Sequence, residues 1–225
     1  MLISITTLTY SKLNKRQKFG LNGFLPRFLL LVSLCVLAAV PTISAEIEGR
    51  YEKIGTVPKK HTLAEVQFDE YLNFTCPHCN NFRKAAIAIK KKYGKRLKIT
   101  YFPILFSRQS DYPLRLFYIG QSVGRTEEIK NLIFDAAFES GVNIYDPAIV
   151  SYIARSAGLA EKYKNEGNAD WVTKKVDQAQ SRASAVGIRA TPTVVLQESL
   201  LVVPKSGMQA FVGNLDHMIE QMLVK

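Results

Sequence analysis

Metal ligands are scarce in this chain: its 225 residues include three cysteines and three histidines. Structural zinc needs four ligands, usually two Cys or His pairs. Cys76 and Cys79 make one pair, no second pair accompanies it, and His61 and His217 stand alone. Covalent haem attachment needs a histidine directly after the second cysteine, and Asn80 is there instead. Acidic residues are missing altogether before Glu46. The apolar run from Phe28 to Val40 has 13 residues, short of the roughly 20 that span a bilayer as a helix.

The acid-free segment has a reading of its own. Lys12, Lys15, Arg16, Lys18 and Arg27 precede the apolar run, and small residues stand at Ser44 and Ala45. This order of basic region, short apolar core and small residues predicts a secretory signal peptide over residues 1–45. Cleavage after Ala45 leaves Ile43 at the third position back, and cleavage after Ser44 leaves Thr42 there; the first is preferred. The alternative is an uncleaved anchor that holds the chain to the membrane facing the periplasm. A lipoprotein reading of Cys35 is disfavoured by the bulky Leu34 before it.

Removing the segment lowers the net charge from +11 to +6 and leaves 180 residues. That is one well-buried domain, or one domain with an insertion. The densest basic run, Lys90-Lys91-Lys92 with Lys95, Arg96 and Lys98, lacks the interleaved aromatics of a nucleic-acid surface. It reads as a helix end whose cations complement the C-terminal dipole, with Gly94 as the stop. No nucleic-acid partner is expected.

What the chain does have is Cys76-Pro77-His78-Cys79. A disulfide across two residues closes almost no chain, so it is a poor structural staple. It suits repeated opening and closing by thiol–disulfide exchange, in a compartment where disulfides persist. The pair follows an alternating run, Val66 to Phe74, and precedes a helical one, Asn80 to Tyr93. Cys76 therefore stands near a helix N-terminus, which favours a thiolate.

The order of elements gives the fold. The run Val66, Phe68, Glu70, Leu72, Phe74 has the period of a strand, and Phe82, Ala85, Ala86, Ile89, Tyr93 that of a helix. A second strand, Leu97 to Leu105, completes a β-α-β unit with the cysteines where strand turns into helix. Helices are predicted over Arg115 to Val123, from Thr126 as cap through Ile129, Leu132, Ile133 and Ala136, from Asp146-Pro147 to Gly158, and over Asp170 to Val186. Thr193 to Leu196 and Leu200 to Val203 read as a hairpin, and Phe211, Leu215, Met218, Ile219 and Met222 as the buried face of a last helix.

With its Thr191-Pro192 step before the hairpin, this chain resembles the DsbA family of thiol:disulfide oxidoreductases, over essentially all of residues 46–225. The resemblance implies an α/β thioredoxin fold with a helical insertion at about 107–187. It implies that Cys76 is the exposed nucleophile and Cys79 its buried partner, with Pro77 and His78 tuning how oxidising the pair is. His78 alternatively is an exposed linker residue. Thr191-Pro192 would be the family's cis-proline step, facing the cysteines and presenting backbone to substrate.

Glu70 shares a face with Val66, Phe68, Leu72 and Phe74 and should point into the core, while Asp69 points away. Thioredoxin-fold enzymes often bury an acid six residues before the first cysteine, and Glu70 stands there. Such a carboxylate could relay a proton to or from Cys79; the alternative is a tolerated glutamate near a strand end. Two positions depart from the family: an acid on the helix after the cysteines is Arg83, and a lysine on the next strand is Tyr101. Asp69 is a third oddity, an acid where the strand is commonly apolar.

The resemblance implies a monomeric exported oxidase that acts on reduced, unfolded secreted proteins. Reoxidation would fall to a DsbB-like membrane quinone reductase, with the internal disulfide as the redox group and no organic cofactor or metal. The alternative is a periplasmic disulfide reductase or isomerase. Isomerases of this superfamily usually carry a dimerisation domain ahead of the fold, and only 20 residues separate Ala45 from Val66. A peptide-binding module with incidental cysteines is a further alternative, which a fully active Cys76→Ser variant would favour.

Overall fold

A computed structural model describes residues 46–224. The expected signal peptide, with Cys35, Ser44 and Ala45, lies outside the described residues. The first strand, β1 (Glu52–Lys53), was not legible in the sequence. It is followed by β2 (Val66–Leu72), α1 (Pro77–Tyr93) and β3 (Leu97–Pro103). Five helices come next: α2 (Tyr112–Ser122), α3 (Thr126–Phe138), α4 (Pro147–Ser156), α5 (Ala160–Glu166) and α6 (Asp170–Val186). The chain returns to the sheet through β4 (Thr193–Leu196) and β5 (Leu200–Val202) and closes with α7 (Met208–Met222). No helix among the described residues is long and apolar enough to cross a membrane.

The sheet order is β1-β5-β4-β2-β3. Strands β2 and β3 run parallel, as a crossover through α1 requires, and the other pairs are antiparallel. This is the expected thioredoxin fold, with helices α2 to α6 inserted between β3 and β4. Strand β2 lies between β4 and β3, and both of its faces are covered. On one face Val66 and Phe68 pack with Phe82 and Ile89 of α1 and with Phe211, Leu215 and Ile219 of α7. On the other, Tyr71 packs with Val195, Leu201 and Ala183 of α6. Each fully buried side chain of this size contributes about 1.5–3 kcal/mol. Phe74, just past β2, ties the sheet to the insertion through ring contacts with Phe134 at 5.1 Å and Phe117 at 6.0 Å.

Local signals set most helix ends. Asp146 caps α4, accepting from the Ala148 N–H at 2.8 Å, with Pro147 in the first turn. Gly187 ends α6 at φ 77°, a left-handed conformation that costs glycine least. Two ends differ from expectation. Thr126 is the first residue of α3 rather than its cap, and Arg125 precedes it, its guanidinium turned to Glu128 and to the Ala157 carbonyl. Helix α2 begins at Tyr112, three residues early, with Pro113 in its first turn and Arg115 reaching back to Asp111 at 2.7 Å.

Helix α1 carries Arg83, Lys84, Lys90, Lys91 and Lys92 and no acidic residue. Three of these cations find carboxylates elsewhere: Arg83 on Asp135 at 2.6 Å, Lys90 on Glu127 at 2.7 Å and Lys92 on Asp216 at 2.7 Å.

Candidate active site

The two cysteines sit where β2 gives way to α1. The helix begins at Pro77 and not at Asn80, because proline suits a first turn whose N–H groups have no intrahelical partner. Cys76 is the cap residue, with extended backbone, and its Sγ accepts from the Cys79 N–H at 3.4 Å. Its own N–H donates to the Asn73 carbonyl at 3.1 Å. Both cysteines are free thiols; Cys76 is partly exposed and Cys79 fully buried. Pro77 and His78 are exposed.

From across the fold comes the loop before β4. The Thr191–Pro192 bond is cis, and the Thr191 carbonyl accepts from the Cys76 thiol at 3.1 Å. A cleft of about 530 Å³ opens beside this contact, lined among others by His78, Ile188, Thr191, Leu201 and Val203.

The two sulfurs are driven apart electrostatically. Hydrogen bonding from the Cys79 thiol, aided by the Thr191 side chain and by the Cys79 and His78 backbone N–H groups, outweighs burial and brings Cys76 down to about 5. His78 enters this balance through its backbone N–H. Burial first, and then the neighbouring Cys76 sulfur, push Cys79 far up. One sulfur is built to be a thiolate and the other a thiol.

Glu70 lies in β2 beside Tyr101 of β3 and Val194 of β4, and is 2% exposed. Among the described residues its Oε2 has no hydrogen-bond partner. Burial pushes the carboxyl up to about 7, opposed by the charge of Lys130 and reinforced by that of Glu127. Leu72 and Phe74, on the same face, pack in one cluster with Cys79 and Tyr101.

Both departures from the family are answered by α3. Arg83 bonds Asp135 and the Asn131 carbonyl and lies over the Phe134 ring. Tyr101 donates to Glu127, and Lys130 sits 3.6 Å from the centre of the Tyr101 ring and 3.0 Å from Glu127. Glu127 is desolvated, yet Lys130, Lys90 and Tyr101 together hold it at about 2. None of Glu127, Lys130 and Asp135 stands out as a site residue in the sequence. The available signal was the place of Lys130 three and four residues before the apolar Ile133 and Phe134 on one helix face.

Asp69 also finds its reason. It faces the other side of the sheet, as alternation requires, but α6 covers that side. Arg182 of α6 bonds Asp69 at 2.7 Å, Tyr71 at 3.2 Å and Glu198 at 2.8 Å. Burial raises the Asp69 carboxyl and Arg182 pulls it back. Among the described residues, no group of three or more His, Cys, Asp or Glu side chains is placed to hold a metal.

The geometry has a known counterpart. A family model described as thioredoxin matches residues 61–212. The thiol:disulfide interchange protein DsbA of Burkholderia cepacia is 24% identical over 180 residues, which cover 79% of this chain and 85% of that protein. Among solved structures, DsbA of Pseudomonas aeruginosa superposes with a TM-score of 0.64 at 18% identity, covering 76% of this chain and 91% of that one. DsbA of Proteus mirabilis, solved with a non-covalently bound peptide PWATCDS, gives 0.61 at 16% identity, covering 79% and 97%. The chain belongs to the thioredoxin family, as a DsbA-like thiol:disulfide oxidoreductase.

Proposed function

We propose that this oxidoreductase works as an oxidase, exported to the periplasm by residues 1–45, and passes the Cys76–Cys79 disulfide to reduced secreted proteins. The observation that carries the direction is the asymmetry of the pair: a part-exposed Cys76 stabilised as a thiolate over a buried Cys79 held as a thiol. Stabilising the thiolate stabilises the reduced form, and so makes the disulfide the stronger oxidant.

The cycle conserves electrons and protons. A substrate thiolate attacks Cys76 Sγ, the Cys76–Cys79 bond breaks, and Cys79 leaves with the electron pair. Cys79 then takes a proton, for which Glu70 is the proposed source. A second substrate thiolate attacks the substrate sulfur of the mixed disulfide and expels the Cys76 thiolate. The substrate has lost two electrons and the enzyme has gained them as a dithiol. A DsbB-like membrane quinone reductase is the proposed acceptor that restores the disulfide. The cleft beside Thr191 and His78 is the proposed seat of the substrate segment, with the Thr191 and Pro192 backbone beside it. The peptide held by the Proteus mirabilis protein supports this reading.

The test is oxidative refolding of a reduced, disulfide-containing protein by stoichiometric oxidised enzyme, with the Cys76–Cys79 couple equilibrated against glutathione. Rapid appearance of substrate disulfides and of dithiol enzyme is expected. A couple that stays oxidised against glutathione and leaves the substrate reduced would transfer the chain to the reductase reading.

A further inference from the structure

Lysine is among the residues least often fully buried, and Lys130 is 3% exposed. A buried ammonium needs compensation, and its one carboxylate partner is already shared. Glu127 accepts from Lys130, from Lys90 and from the Tyr101 hydroxyl. Glu127 is thus shared with the half-exposed Lys90, and its compensation of the buried Lys130 ammonium is incomplete. The charge that would complete it is that of Glu70, whose Oε2 is buried without a partner among the described residues. The groups facing Glu70 can be named element by element. Helix α3 brings Lys130 and Glu127, β3 brings the Tyr101 hydroxyl, and β4 offers only Val194. Helix α1 packs Cys79 in one cluster with Tyr101, Leu72 and Phe74, and its Arg83 is engaged by Asp135. A cleft of about 550 Å³ lined by Lys90, Tyr101, Arg125, Thr126 and Glu127 reaches the outer side of this cluster. Glu127 is therefore its wet end and Glu70 its dry end.

We propose that Lys130, carried by the inserted helical domain, is a positioning residue that sets the pH at which Glu70 releases its proton, through the Tyr101–Glu127 pair that holds its ammonium in place. Its charge favours the Glu70 carboxylate against burial. The control over Glu70 is thereby supplied from outside the sheet that carries it. The inference rests on the reading of Glu70 as proton donor to Cys79, and not on whether exchange runs toward oxidation.

The experiment follows the Glu70 carboxyl directly, by carbon-13 NMR titration of the dithiol protein of residues 46–225, with Glu70→Gln to assign the signal. A wild-type midpoint near 7 is expected. Lys130→Met should move it up by about one pH unit or more, and Lys130→Arg should bring it most of the way back. A merely structural lysine would lower the urea midpoint in Lys130→Met and leave the Glu70 midpoint where it was, and that result would overturn the proposal. Where Lys130→Met does not fold, the wild type decides with Tyr101→Phe. A wild-type Glu70 midpoint near the ordinary ~4.3, or one that Tyr101→Phe leaves in place, overturns it equally. The titration needs no turnover, so a protein that fails to oxidise substrates but shows these midpoints retains this inference and loses only the oxidase reading.

Discussion

Acidification should erase a stability advantage that only the dithiol form possesses. The perturbation is pH, and the responsible group is Cys76, which ionises in the dithiol protein and cannot in the disulfide form. Hydrogen bonding from Cys79 brings it from an ordinary thiol value of ~8.5 to about 5. Because the folded value is the lower one, the stabilisation is complete above ~8.5, declines as pH falls, and is gone below about 5. At pH 7 the two values differ by about 2.7 kcal/mol in ionisation free energy. Cys76 is partly exposed, and solvent screening reduces this to about 1–1.5 kcal/mol. That corresponds to a couple made more oxidising by roughly 20–30 mV. The assay is urea unfolding of dithiol and disulfide forms at pH 4 and pH 7, with thiolate absorbance followed in parallel. Both forms should carry Glu70→Gln, so that a carboxyl titrating near 7 does not contribute. The dithiol form should gain about 1–1.5 kcal/mol relative to the disulfide form across this interval. Parallel pH curves for the two forms, or a thiolate that appears only above about pH 8, would refute the reasoning.

Two further outcomes follow from the packing. Arg182→Ala should destabilise by about 2–3 kcal/mol, because it leaves the Asp69 carboxylate buried without its cation. Asp69→Ala should cost less, since Arg182 keeps Glu198 and much of its exposure, and urea midpoints in the reverse order would contradict the account of Asp69. Gly120→Ala should cost about 1–3 kcal/mol, since an added methyl group would stand 2.7 Å from Ile129 Cβ where α2 packs on α3; thermal unfolding reads this directly.

The redox pair, the β-α-β unit around it and most helices are legible in the sequence because each rests on local patterns. Cys76 and Pro77 announce a helix start by their chemistry, although apolar periodicity only begins at Phe82 and so suggested a start three residues late. Strand β1 and helix α5 are two and seven residues long, too short for a period to show. Lys130 was illegible for a different reason. A lysine is buried only where partners arrive, and its partners include Tyr101, 29 positions earlier in the chain. Asp69 was an oddity for the same cause, its cation arriving 113 residues later. Tertiary charge pairing has no sequence period.

Helix α1 bears on the order in which the protein is made. With five cations and no anion, three of them consecutive, it is self-repelling in isolation. Its counter-charges come late: Glu127 and Asp135 follow from α3, and Asp216 belongs to the last helix. A chain that folds from its N-terminus therefore completes the ion pairs of this helix only when α7 arrives. The residues that balance the charge of the redox helix are thus spread over the rest of the chain, and the last of them, Asp216, is in place only once α7 has docked.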